Sequence, residues 1–293
     1  MNIVFIGCVD FSARCLESLI RLNAKIVGVC TLETSLANAD HVDLTPIAEQ
    51  NSIPICYATD INSAQTIAWI RELAPDVIFC LGWSRLIKEE VLQIPPMGVV
   101  GFHPAALPKN RGRHPIIWSL VLGLDETAST FFIMDEGADS GDILSQRPVN
   151  IMLDDNASSL YTRVTGTAIA QIEEFLPRLI ARTYYLYPQD HSLANNWRKR
   201  GAHDGQVDWR MSAKSIYNLV RGLSHPYVGA HFMHRGAEIK VWECKIVTGT
   251  PDHIEPGKIL RLGESGPIIK TGEGAVELIS FHPKVTLNVK EYL

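Results

Sequence analysis

Residues 2–31, NIVFIGCVDFSARCLESLIRLNAKIVGVCT, decide the fold. Asn2 to Gly7 is a short apolar run rich in β-branched residues that closes on a glycine. Phe11 to Leu22 then repeats apolar side chains at helical spacing, through Phe11, Cys15, Leu16, Leu19 and Ile20. Lys25 to Thr31 is a second run of the first kind. Strand, turn, helix, strand is the unit of a parallel sheet, in which a strand buried on both faces needs a crossover helix to cover it. The pattern continues outward. Leu44 to Asn51 reads as a helix, Ile53 to Cys56 as a strand, Ile61 to Leu73 as a helix, and Val77 to Leu81 as a strand after the Pro75-Asp76 turn. A short helix at Lys88 to Gln93, strands at Val99 to Phe102 and Ser129 to Met134, and a long helix within Asp155 to Ile180 complete this region.

Beyond residue 180 the character changes. Residues 183–202 are aromatic and polar and read as a linker. From His203 a helix at Ser212 to Leu223 precedes short strands near 230–233, 238–247, 257–262, 267–270 and 275–279, separated by Gly-containing turns. The expected fold class is therefore α/β: an N-terminal domain with a Rossmann-like parallel sheet over 1–182, the linker, and a smaller C-terminal OB-like β-barrel domain over 203–293.

Composition narrows the function. The chain has 293 residues, 46% hydrophobic and 20% charged, enough for a packed core and little disorder. Its formal charge of −5 lacks the electropositive field of a protein that grips nucleic acid through phosphates, so no nucleic-acid partner is favoured. The six cysteines are dispersed, with no pair at zinc spacing, so no metal is expected and the thiols read as reduced. The opening MNIVFIGCVDF has no basic segment or small-residue cleavage site, and no apolar run approaches the roughly 18 to 20 residues that span a bilayer. The expectation is a cytoplasmic protein with no membrane partner.

The turn Gly7-Cys8-Val9-Asp10 carries one glycine where a dinucleotide fingerprint needs three, which excludes that site. The dense region is 101–144. His103 directly follows a buried strand and Pro104 ends it, which puts the imidazole at the carboxyl edge of the sheet, where open α/β sheets bind ligands. A histidine there is commonly a hydrogen-bonded structural residue. The adjoining loop carries Lys109, Arg111 and Arg113, a candidate site for an anionic substrate. Asp135 to Asp142, DEGADSGD, reads as an acidic surface turn or as a divalent-metal loop, though its spacing does not match an EF-hand and neither reading explains why a strand should deliver it to the same edge as the His loop.

Taken in order, NIVFIGCVDFSARCLESL, HPAALPKNRG (103–112), GADSGDIL (137–144) and the segment 204–247 resemble the 10-formyltetrahydrofolate-dependent formyltransferases, a group that includes methionyl-tRNA formyltransferase and the sugar N-formyltransferases. The resemblance covers nearly the whole chain. It implies His103 and Asp139 as the catalytic pair, and N10-formyltetrahydrofolate as co-substrate beside Gly82, Trp83, Ser84, Arg85, Leu86 and Ile87, with Gly137 and Ala138. It implies Lys109, Arg111 and Arg113 for the acceptor. The wording of 82–87 and 109–112 resembles the sugar branch, so the expected acceptor is the primary amine of a nucleotide-linked amino sugar, in the service of surface-glycan synthesis. The alternatives are methionyl-tRNA formyltransferase and a folate-binding homologue weakened in catalysis. Oligomeric state stays open, a homodimer being common in the family. One departure stands out: the family's catalytic Asn, two residues before the His, is Gly101 here. Loss of one oxyanion donor costs on the order of 3 kcal/mol. Asn110, His114 or an ordered water are the candidate substitutes, and Gly101→Asn is expected to raise activity or be tolerated.

Overall fold

The computed structural model describes residues 1–35 and 38–293. These divide into two compact units whose segments interleave along the chain: Met1–Pro115, Thr127–Val149 and Thr162–Trp197 form the first, and Ile116–Glu126, Asn150–Tyr161 and Arg198–Leu293 the second. The division differs from the sequence expectation in two ways. Two stretches within 1–182 belong with the C-terminal residues, and most of 183–202 belongs to the first unit.

The first unit holds a seven-stranded sheet built from β1 (Asn2–Ile6), β2 (Lys25–Thr31), β3 (Ile55–Tyr57), β4 (Val77–Cys80), β5 (Val99–His103), β7 (Glu126–Ile133) and β8 (Ile143–Asn150), in the order β3-β2-β1-β4-β5-β7-β8. The helices are α1 (Asp10–Arg21), α2 (Thr45–Gln50), α3 (Ala64–Glu72), α4 (Glu89–Leu92) and most of α6 (Ala157–Ile180). Two-residue strands β6 (Arg111–Gly112) and β9 (Asn196–Trp197) pair with each other in parallel. The five strands from β3 to β5 are mutually parallel, as the strand-helix alternation requires. Ile3, Val4, Phe5 and Ile6 of β1 are fully buried, each side chain contributing roughly 1.5–3 kcal/mol by leaving water.

At the carboxyl edge the turn after β1 and the loop after β4 are locked together. Ser12 Oγ accepts from the Cys8 and Val9 amides and donates to the Leu81 carbonyl at 2.6 Å. Gly82 sits in left-handed backbone at φ +71°, so close that a Cβ would lie 2.4 Å from Ser12 Oγ. Only glycine fits there.

One expectation about the sheet is corrected. β7 runs antiparallel to β5, with His103 opposite Thr130 and Val100 opposite Ile133. The strand before the acidic loop therefore ends beside the start of β5, away from His103. Residues 134–142 must turn back to reach it, and a parallel reading missed this because direction leaves no mark on a buried apolar run.

The second unit contains α5 (Pro115–Val121, from Ile116 onward), α7 (Ala213–Leu223) and a five-stranded antiparallel sheet ordered β10 (Ala230–His234), β11 (Ala237–Val247), β14 (Ala275–His282), β13 (Pro267–Lys270), β12 (Ile259–Leu262). Ser212 caps α7, its hydroxyl accepting from the Ser215 amide at 3.1 Å. The buried face of α7 (Ile216, Leu219, Val220, Leu223) joins Phe232, Val241, Ile269 and Leu278 of the sheet in one core with Ile117. Among the described residues no helix is long and apolar enough to cross a membrane.

Candidate active site

His103 is the last residue of β5 and is 4% exposed. The loop that follows is suspended from hydroxyls and amides of the neighbouring strands: Thr127 Oγ1 donates to the Pro104 carbonyl, Thr130 Oγ1 to Ala105, and Gln146 Nε2 to Leu107. These bonds satisfy carbonyls that the sheet cannot reach. They carry Asn110 back over the histidine, whose Nε2 meets the Asn110 carbonyl at 2.7 Å. A carbonyl only accepts, so Nε2 bears the proton.

The other ring nitrogen, Nδ1, faces Asp139 Oδ2 at 3.5 Å. The same carboxylate oxygen accepts from the Gly112 amide at 2.8 Å. Two loops, after β5 and after β7, thus converge on one imidazole. Three non-glycine residues in them, Asn110 (φ +63°), His114 (φ +58°) and Asp139 (φ +54°), hold left-handed backbone. Such conformations persist where the surroundings over-determine them, and they gather at functional sites.

The remaining expected residues separate into two groups. Gly82 is committed to the turn after β1, and Ile87 packs in the core of the sheet, so it offers no surface for a ligand. Leu86 is 74% exposed. Ser84 accepts from Arg113 Nη1 at 2.9 Å, Arg85 reaches the Thr59 carbonyl with its guanidinium 5.8 Å from the centroid of Trp83, and Asn62 ties the Leu86 carbonyl and the Lys88 amide. The Trp83 indole N–H is buried without a hydrogen-bond partner among the described residues, a donor of the kind a ligand carbonyl satisfies. Nearby, burial pushes the Cys8 thiol up to about 11, with the Asp40 charge adding to it against Arg85. It stays a thiol. Gly137 and Ala138 are exposed, and Gly137 lines a cleft of about 460 Å³ with Met134, Asp135, Glu136, Glu89, Leu92 and Gln93.

Among the three basic residues, Lys109 and Arg113 are exposed, but Arg111 is not. It is 7% exposed, and its Nη2 donates to Gln189 Oε1 at 2.6 Å and meets His191 Nδ1 at 3.1 Å. Its expected role with the acceptor is corrected: β6 pairing with β9 turns this side chain inward. Gly101 is corrected too. A Cβ there would meet Met134 Cγ at 2.8 Å and Phe132 Cζ at 3.0 Å, so side chains already fill the space a restored Asn would need.

Sequence reading missed Gln189 and Asn195, both from the stretch taken as a linker. Asn195 Oδ1 accepts from the Asn110 amide at 2.9 Å and its Nδ2 donates to Asn110 Oδ1 at 3.2 Å. Amides that act at long range carry no periodic signal, and nothing local separates these two from the polar residues beside them.

A sheet edge bearing an imidazole and a carboxylate on converging loops is an arrangement that can serve acid-base or acyl-transfer chemistry. Family comparison names the class: residues 1–174 match the formyl transferase family and 200–293 its C-terminal domain, so the chain belongs to the formyl transferase family. It is 30% identical over 299 residues to a methionyl-tRNA formyltransferase of Geobacter metallireducens, covering 100% of this chain and 95% of the relative. Among solved structures it resembles the N-formyltransferase of Helicobacter canadensis in complex with folinic acid and dTDP-3-aminofucose (TM-score 0.70, 16% identity, 94% of this chain and 98% of that one). It also resembles HypX of Aquifex aeolicus (TM-score 0.70, 20% identity, 95% of this chain), of whose length it spans 45%. At these identities the structural likeness speaks to the fold.

Proposed function

We propose that this chain is a cytoplasmic enzyme that transfers the formyl group of N10-formyltetrahydrofolate to the primary amine of a nucleotide-linked amino sugar. The observation that carries the chemistry is the convergence of His103 and Asp139, with the histidine tautomer fixed by Asn110. A neutral amine attacks the formyl carbon, a C–N bond forms, and negative charge develops on the formyl oxygen. The bond from that carbon to N10 of the folate then breaks, the amine loses a proton, and N10 gains one, which gives tetrahydrofolate and the formamide.

With Nε2–H held on the Asn110 carbonyl, a neutral His103 ring has its lone pair on Nδ1, beside the carboxylate. The pair takes up the amine's proton as one unit; both ring nitrogens are then engaged, with Asn110 and with Asp139, so the ring acts on the developing negative charge through its positive charge and not through a free N–H. Asn110 is the favoured replacement for the donor absent at Gly101. Its carbonyl oxygen Oδ1 faces Asn195, which leaves its NH2 to point elsewhere, and its backbone already touches the catalytic ring. The unpartnered Trp83 N–H, exposed Leu86 and the exposed residues Gly137 and Ala138 fit a pterin; Lys109 and Arg113 fit the phosphates of the acceptor.

Charge in the C-terminal unit supports the sugar over tRNA. Of its basic residues, Arg210, Arg235, Lys240 and Lys245 each sit within 4 Å of a carboxylate, while Arg221 and Lys270 are buried on backbone carbonyls. Over residues 204–293, 11 Lys and Arg stand against 10 Asp and Glu, which leaves no net positive field to attract RNA phosphates, the interaction that supplies most of such affinity. The test is turnover: tetrahydrofolate release from N10-formyltetrahydrofolate with a panel of amino-sugar nucleotides, and with methionyl-tRNA in parallel. Release with an amino-sugar nucleotide alone is expected, and release with methionyl-tRNA alone overturns the choice of acceptor.

A further inference from the structure

Asp139 meets His103 at the end of a loop that starts from the wrong direction, in a backbone conformation an aspartate adopts at a cost. Something must hold it there. Ser140 and Gly137 close a local turn on Asp135, which shapes the tip of the loop without tying it to the histidine. Beside the Gly112 amide on the Asp139 carboxylate, the link from the Asp139 backbone to the rest of the unit is Gln189. Its side chain is 6% exposed, and its Nε2 donates to the Asp139 carbonyl at 2.9 Å and to the Gly141 carbonyl at 2.6 Å.

An amide can satisfy two carbonyls only if its NH2 end faces them, and oxygen and nitrogen ends are alike in shape. Arg111 removes that freedom. A guanidinium only donates, so the 2.6 Å contact from its Nη2 fixes Oε1 on the Arg111 side and turns both N–H groups toward the Asp139 loop. Arg111 is itself immobilised by β6, whose next residue, Gly112, donates to the Asp139 carboxylate. The loop after β5 and the loop after β7 are thus cross-braced twice, once at the Asp139 side chain and once at its backbone.

We infer that Gln189 is a positioning residue for the Asp139 carboxylate, oriented by the buried Arg111; the inference rests on the formyl-transfer reading above. It touches neither the reacting atoms nor the histidine and acts through Asp139. Loss of its two donors frees the loop to relax, and a displacement of about 1 Å at a reacting pair lowers turnover by about a hundredfold.

Three measurements test this on the full chain. First, Gln189→Ala lowers kcat for N10-formyltetrahydrofolate with the accepted amino-sugar nucleotide by about a hundredfold, while the affinity for N10-formyltetrahydrofolate is unchanged. Second, placed in an Asp139→Asn background, the same change costs little more, because its effect passes through the carboxylate. Third, the ¹⁵N-edited signals of the His103 ring, assigned by their loss in His103→Ala, move in Gln189→Ala without any substrate present. Near-normal kcat, an equal loss in both backgrounds, or unmoved ring signals each overturn the inference. If the wild-type chain turns over none of the acceptors, it is the functional reading that fails, and the ring signals alone then decide the placement of Gln189. Should Gln189→Ala not fold, Gln189→Glu takes its place: it keeps the size and the Arg111 contact, lacks both donors, and is expected to behave the same way.

Discussion

The loops around His103 and the sheet of the C-terminal unit differ in how most of their polar groups are held. In the loops, three non-glycine residues hold left-handed backbone, and the Arg111 guanidinium lies buried against two neutral partners. In the C-terminal sheet, three bases meet acids, Arg235 with Glu291, Lys240 with Glu238, and Lys245 with the buried Glu277, while Lys270 is buried on backbone carbonyls. Strain and uncompensated burial cost stability and are retained where geometry is needed for chemistry. Paired surface charge costs little and contributes little, and it suits a scaffold. The contrast fits the proposed reaction in the first unit, with residues 204–293 close to charge balance at 11 Lys and Arg against 10 Asp and Glu.

The comparison breaks most directly at the pair itself. His103→Ala and Asp139→Ala are each expected to lower kcat by at least about a hundredfold with the circular dichroism spectrum intact. A variant with near-normal turnover would remove its residue from the mechanism. Gly101→Asn comes next. With Met134 and the Phe132 ring in the way, it is expected to lose about 1–3 kcal/mol of stability by denaturant unfolding and to lose activity. Met134→Ala added to it should recover part of both. An active, undiminished single variant would show that the ring and thioether yield easily.

The C-terminal unit makes smaller predictions. Gel retardation of methionyl-tRNA should be absent between about 50 mM and 200 mM salt, and steep salt-dependent binding would overturn the contrast. The smallest effect concerns Asp208. A hydrogen bond from Arg210 holds its carboxyl down at about 2. Its folded value is depressed, so any stability it adds is present above about pH 4 and fades as pH falls toward 2. Arg210→Ala should flatten that small loss in acid unfolding curves, and an unchanged slope would make the pair ornamental.

The strands were legible where burial is two-sided: β1, β2, β4 and β13 lie where runs such as VIFC and PIIK placed them. β8 was not, because its inward and outward residues mix around Arg147 and Pro148. Neither were β6 and β9, each two residues long, which exist only because a distant partner is present. The site followed the same rule. His103 and Asp139 were singled out by motif and position, whereas Gln189, Asn195 and the inward turn of Arg111 depend on contacts across 48 or more residues of chain.

Residues 116–126 and 150–161 belong to the unit completed by the last 96 residues, whose core includes Ile117. A ribosome that has delivered everything up to Trp197 has therefore finished one unit and left part of another uncovered. Truncation there should yield a sticky, aggregating product. Anyone exchanging the C-terminal portion between relatives to alter the acceptor should transplant those two internal segments along with it.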